Sequence, residues 1–188
     1  MGSRPGPGLG GEAGVYRVAV FIICSAGILA MSRKHLRDPH HHGFYRFFSF
    51  ECLLGLILLN VPRWFAEPFS VPQLLSWTLL AASLVLAVHS FHLLRGLGEP
   101  KGAMDETTAL VRRGAFRYIR HPLYASLLLL GWGALLKGLS VPTGLLALGA
   151  TGLLYAAAKV EESENRRKFG EDYVSYMRST KLFIPFLF

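Results

Sequence analysis

Five apolar runs almost free of charge, at residues 18–31, 47–61, 74–94, 123–136 and 139–158, constrain this chain more than any other feature. Roughly 20 residues cross a bilayer core, with a working range of about 17 to 25 once interfacial flanks are counted. The pattern therefore predicts an all-α fold, a polytopic membrane helix bundle of about five transmembrane helices. With 52% hydrophobic and 17% charged residues and a mean hydropathy of +0.36, an ordinary soluble domain is excluded.

The formal charge of +8 first suggests nucleic acid, but the positions of the basic residues point elsewhere. Five spans place the connection between runs one and two, the connection between runs three and four, and the tail on one face. Of the 20 Lys and Arg residues, only Arg4, Arg17, Arg63 and Lys137 lie on the other face. The positive-inside rule makes the basic face cytoplasmic, so the excess is a topology signal that also favours anionic headgroups. A multi-pass protein of the plasma or inner membrane, or of the endoplasmic reticulum in a eukaryote, is expected, with no nucleic-acid partner.

Residues 1–14 are rich in glycine and proline and are expected to be disordered, with residues 15–188 forming one membrane domain. Cys24 and Cys52 both lie inside spans, where neither reads as a disulfide or a metal ligand. His40, His41 and His42 are consecutive, so their side chains should diverge, and no Cys or acid pair lies at ligand spacing; no metal is expected. Glu51, one turn into the second span, calls for a partner, with Arg46 or a helix neighbour as candidates. His89 and His92 share one face of the third span near its C-terminus, where the helix dipole favours them.

Polar chemistry concentrates in two places. Residues 114–124 read Gly-Ala-Phe-Arg-Tyr-Ile-Arg-His-Pro-Leu-Tyr, a cationic, aromatic segment that turns through Pro122 into the fourth apolar run. Arginines and a histidine at the mouth of an apolar helix cost desolvation energy, which requires a compensating role. Glu161 and Glu162 leave the fifth run on the same side. The turn at residues 140–143 predicts an antiparallel hairpin of spans four and five, packed through Gly131, Gly133, Gly144, Gly149 and Gly152, which brings the acids back to Arg120 and His121. The tail from Glu162 to Met177 reads as an amphipathic helix broken at Gly170, and residues 182–188 are expected to lie on the membrane or fold over the hairpin.

Arg120-His121-Pro122-Leu123-Tyr124-Ala125-Ser126, then Glu161-Glu162, then Phe169-Gly170, Tyr173, Tyr176 and Ile184-Pro185 resemble the C-terminal signature of the isoprenylcysteine carboxyl methyltransferase and phospholipid methyltransferase superfamily. The resemblance covers about residues 96–185. It implies an integral membrane enzyme that uses S-adenosylmethionine and acts on a lipid or prenylated amphiphile. Carried over by position, His121, Pro122 and Tyr124 line the cofactor pocket, Tyr118 adds a further ring, and Glu161 and Glu162 contact the cofactor's polar groups. Gly96 and Gly98 resemble the Gly-x-Gly element of the phospholipid N-methyltransferase branch. Ser126 departs from the glycine frequent at its place, which puts only fine pocket shape in doubt.

Methyl transfer from a sulfonium gains from positioning and from a water-poor site. A carboxylate acceptor would be oriented by Arg117, Arg120 or Arg166; an amine would lose its proton to Glu161, Glu162 or His121. Glu162→Ala and His121→Ala are each expected to weaken cofactor binding without unfolding the bundle. Two other functions fit parts of the pattern: an NADPH-dependent sterol or lipid reductase, and a non-catalytic lipid-binding protein in which arginines pair with glutamates only to close the bundle.

Overall fold

A computed structural model describes residues 9–99 and 107–187. Six α-helices are present among them: α1 (Leu9–Ser32), α2 (His42–Asn60), α3 (Val71–Leu97), α4 (Pro122–Leu135), α5 (Val141–Phe169) and α6 (Glu171–Ser179). No strand occurs among the described residues; an isolated parallel bridge joins Ile119 and Lys181. The all-α expectation holds. Helix α1 begins inside the stretch expected to be disordered, of which residues 1–8 lie outside the described residues, as do residues 101–106 of the long basic connection.

Helices α1, α2, α3 and α5 are long and apolar enough to cross a membrane; α4, with 14 residues, is shorter. At 1.5 Å per residue α4 extends about 21 Å, less than a hydrocarbon core of about 30 Å. Prolines start three of the helices, at Pro72, Pro122 and Pro142, where the missing N–H costs nothing. Ser140 and Thr143 form a reciprocal capping box at the start of α5. Span and tail prove to be one helix: α5 continues without interruption through Glu161 and Glu162 to Phe169, and the expected break falls at Gly170, whose φ of +57° suits glycine.

The bundle is polar inside and apolar outside along α3. Its buried residues are Gln73, Ser76, Ser83 and Ser90, whereas Leu74, Leu75, Leu84, Val85 and Val88 are exposed. In lipid this inversion is stable, because apolar side chains meet apolar tails and hydroxyls bond across helices. Ser76 donates to the Gly133 carbonyl at 2.6 Å and Ser83 to the Ser126 carbonyl at 2.7 Å, which ties α3 to α4. Ser126 itself is buried and donates to the Leu123 carbonyl at 2.7 Å, so the serine is satisfied locally.

Packing partners differ from the expected hairpin. Helix α5 packs chiefly on α2, and α4 chiefly on α3. A Cβ on Gly131 would come within 2.9 Å of Leu53 on α2, and one on Gly133 within 3.1 Å of Leu80 on α3. Gly149 faces Cys52 of α2, while Gly144 and Gly152 face open space. The small residues admit helices distant in sequence, because the 14-residue α4 packs mainly on α3 and touches both α5 and α2. Glu51 also finds an unexpected partner: Ser25 of α1 donates to its Oε2 at 2.5 Å. Cys24 and Cys52 are free thiols.

Candidate functional site

The site begins with a glycine that lets two segments touch. Gly114 has φ +57°, and a Cβ there would stand 2.5 Å from both His89 Nε2 and Leu93 Cδ1. Its neighbour Ala115 donates its backbone N–H to His89 Nε2 at 3.3 Å, so His89 serves as a support for the loop. A short 3-10 turn, Gly114–Arg117, then leads into residues 118–121. These are held by the tail: Lys181 N–H donates to Tyr118 O at 3.0 Å, Arg120 N–H to Lys181 O at 2.8 Å and His121 N–H to Leu182 O at 3.2 Å. The C-terminal segment therefore folds over the start of α4, one of its two expected positions.

Arg120 is the clamp of this assembly. Its Nε donates to Glu162 Oε1 at 2.6 Å, and its Nη1 donates to the Met177 carbonyl at 3.2 Å and to the Thr180 carbonyl. Lys159 donates to the second oxygen, Oε2, of Glu162 at 2.7 Å. Glu162 is 2% exposed with both oxygens engaged. It closes the bundle and does not line the hollow beside His121. A buried pair of this kind is destabilising to break even where it adds little net stability.

Glu161 takes the opposite role. Adjacent residues on a helix point about 100° apart, and Glu161 turns toward α4, where Tyr124 Oη donates to its Oε2 at 2.6 Å. Its Oε1 lies 3.7 Å from His121 Nδ1, within ion-pair distance but beyond a hydrogen bond. The His121 ring stacks parallel on Tyr124, with centroids 5.5 Å apart and 6° between planes, and meets Phe183 edge-on at 6.3 Å. His121 is 5% exposed, and its Nε2 has no hydrogen-bond partner. Burial pushes its basicity below the ordinary imidazole value, against the opposing pull of Glu161 and Glu162, so the ring is neutral at pH 7.

A hollow of about 140 Å³ opens beside these groups, walled by Arg46, Leu94, Thr107, Phe116, residues 120–124, Glu161 and Asn165. Of the residues singled out in the sequence, Arg120, His121, Pro122, Tyr124 and Glu161 line it together. Gly98 ends α3 next to it, accepting from Thr108 and Ala109 N–H groups at 2.9 and 3.2 Å; a Cβ there would meet the Leu94 carbonyl at 2.5 Å. Gly96 faces open space. Tyr118 lies instead against the Phe186 ring, and Arg166 donates to Met177 Sδ at 3.3 Å. Arg46 and Asn165 are wall residues that sequence reasoning missed. The sequence offered Arg46 only as a partner for Glu51, and the packing of α2 on α5 brings it to the site.

A second, apolar cleft of about 940 Å³ lies on the other side of the same segment. Tyr118, Ile119, Leu128, Trp132, Tyr155 and Phe183 are among the residues that line it. Consecutive residues of one short segment thus face a polar hollow and an apolar cleft.

Among curated proteins and among solved structures, no significant match to the chain exists. A family model described as phospholipid methyltransferase matches residues 71–172, from the first turn of α3 into α6, and so contains the whole Arg-His-Pro segment and both glutamates. The match covers more than half of the 188 residues, and the chain belongs to the phospholipid methyltransferase family of membrane methyltransferases.

Proposed function

We propose that the protein transfers a methyl group from S-adenosylmethionine to the amine of a lipid headgroup at the basic, cytoplasmic end of the bundle. The observation that carries this reading is His121: a buried, neutral imidazole whose Nε2 is unpartnered beside a hollow that also receives the Glu161 carboxylate and the Tyr124 ring. Buried polar atoms are nearly always paired, so an orphan facing a hollow is suited to a ligand. Aromatic faces and one carboxylate suit a sulfonium, with cation–π attraction of about 0.5–2 kcal/mol. The 140 Å³ hollow admits the reacting end of such a donor, and entry of the nucleoside requires the walls to part.

An amine acceptor fits better than a carboxylate. Of the arginines expected to orient a carboxylate, Arg120 is committed to Glu162 and the tail carbonyls, Arg166 to Met177, and Arg117 lies over the Tyr118 ring at 6.0 Å. An ammonium headgroup must instead lose a proton before it can attack. His121 Nε2 accepts that proton, and Glu161 Oε1, facing Nδ1, stabilises the imidazolium that results. When bound, S-adenosylmethionine supplies a methyl group on a sulfonium that departs as a neutral thioether. With that donor bound, the amine lone pair would form the new C–N bond as the C–S bond broke, so charge and atoms would balance. The 940 Å³ cleft holds the acyl chains, which brings the headgroup to the level of His121.

The test is binding of labelled S-adenosylmethionine by the purified protein, followed by methyl transfer to phosphatidylethanolamine vesicles, with prenylated cysteine as a competing acceptor. Label in the phosphatidylethanolamine headgroup, lost in His121→Gln, supports the proposal. Label only in prenylcysteine overturns the choice of acceptor, and binding of NADPH or of neither cofactor overturns the methyltransferase reading.

A further inference from the structure

Outside the hollow beside His121, the molecule gathers a second set of polar side chains where the first basic loop meets α5. His41 and His42, at the start of α2, and Glu164 of α5 each offer one ligand atom, and these atoms lie within 4.8 Å of one another. They border a hollow of about 170 Å³ that His35 and Lys168 also line. The sequence argued against a metal here because consecutive histidines should diverge and no Cys or acid pair stood at ligand spacing. The fold removes both objections: the His41 and His42 rings stack at 4.4 Å, and the acid arrives from 122 residues away.

We propose that His41, His42 and Glu164 form a divalent transition-metal site of the zinc class. The donor set, two imidazole nitrogens and one carboxylate oxygen, matches that metal's preference, and a water would complete a tetrahedron. Glu164 is positioned in advance, since its Oε1 accepts from the His42 backbone N–H at 3.1 Å while Oε2 meets His42 Nδ1 at 2.5 Å. The ion takes the place of the proton shared by that pair, and the proton leaves to solvent. Metal–ligand distances of about 2.0–2.2 Å put tetrahedral ligand atoms roughly 3.3 Å apart, so the close pair opens slightly and His41 closes in. His35 lies over His41 at 4.1 Å, and His41 Nδ1 accepts from the Gly43 N–H at 3.0 Å, so the ion takes that lone pair in place of the backbone donor. A helix-docking ion pair would need only His42 and Glu164, and capping α2 would need only His41; what the metal adds is a reason for all three donors to converge on one hollow.

Lys168 borders the hollow, but its Nζ lies over the Phe169 ring, 5.4 Å from the centroid. Glu161 and Asn165 line this hollow and the one beside His121 alike. An ion bound here therefore sits one shared wall from the proposed reaction centre, yet its binding does not depend on methyl transfer.

The experiment titrates Zn²⁺ into chelator-stripped, untagged protein in detergent micelles by calorimetry, with metal content counted by mass spectrometry. One Zn²⁺ per chain, bound in the micromolar range or tighter, is expected. His41→Asn keeps an acceptor for the Gly43 N–H and Glu164→Gln keeps one for His42, so both variants should fold, with melting curves as the check. Each is expected to weaken Zn²⁺ binding at least about tenfold. His40→Ala, at an exposed neighbour, should leave it unchanged. Absence of stoichiometric Zn²⁺ in the wild type, or equal affinity in the wild type and His41→Asn, overturns the proposal and leaves a helix-docking ion pair.

Discussion

The two ends of the bundle each bury a cation, and they treat it differently. At the end away from the basic loops, Lys137 is 4% exposed and has no carboxylate within ion-pair distance among the described residues. It donates to Gln73 Oε1 at 2.8 Å and stands 3.5 Å from the Trp77 ring centroid and 5.5 Å from that of Trp64. Nearby, Asn60 donates to the Ala134 carbonyl and Gln73 to the Arg63 carbonyl. At the basic end, Arg120 has a carboxylate and backbone carbonyls, but two residues of its surroundings remain open: His121, with an orphaned nitrogen, and Glu161, facing a hollow. A buried polar cluster with its named partners in place is architecture, whereas one that leaves an atom unmatched beside a space has room for chemistry.

That contrast can be broken most directly at His121. His121→Gln should lower methyl transfer by about 10²–10⁴-fold, the usual contribution of a positioned base, with little change in melting temperature. An unfolded His121→Gln protein, or one with full activity, would erase the distinction between the two ends. Glu162→Ala should do the reverse of what the sequence suggested. Removing one member of this buried pair strands Arg120 and is expected to cost about 3–5 kcal/mol of stability, read as loss of folded protein in thermal unfolding. Activity of the fraction that stays folded would then fall less than in His121→Gln.

At the opposite end, Lys137→Ala should lower stability by about 1–3 kcal/mol through the lost Gln73 bond and ring contacts, while activity per folded molecule stays unchanged. The smallest effect sharpens the comparison through pH. Because burial favours the neutral His121 ring, its contribution to stability is complete above the ordinary value of 6.5 and is lost as pH falls below it. The acid limb of the pH–rate profile should accordingly lie below 6.5 and disappear in His121→Gln.

The sequence exposed the outline of these regions unevenly. Apolar runs, prolines at helix starts and the glycine break at residue 170 are local signals with local physical causes, and the structure reproduces them. The meeting of Arg120 with the Glu161–Glu162 pair was also legible, because a short turn between α4 and α5 leaves few alternatives. Which glutamate faces the hollow was not, since adjacent helical residues exchange roles with a small rotation of the helix. Nor could the sequence reveal Arg46 as a wall, the Ser25–Glu51 bond or the partners of Gly131 and Gly133. Those contacts depend on which helices pack together, and 3.6-residue periodicity marks a face without naming its neighbour.

The pairing of residues 118–121 with the tail gives the enzyme a temporal order of manufacture. Arg120 and Thr180 are 60 residues apart, so the ribosome must extend the chain through α4, α5 and α6 before the guanidinium acquires its carbonyl partners. A nascent protein can therefore thread its hydrophobic segments into lipid long before it possesses a working centre, and translation halted short of Thr180 would yield a properly inserted but inert product.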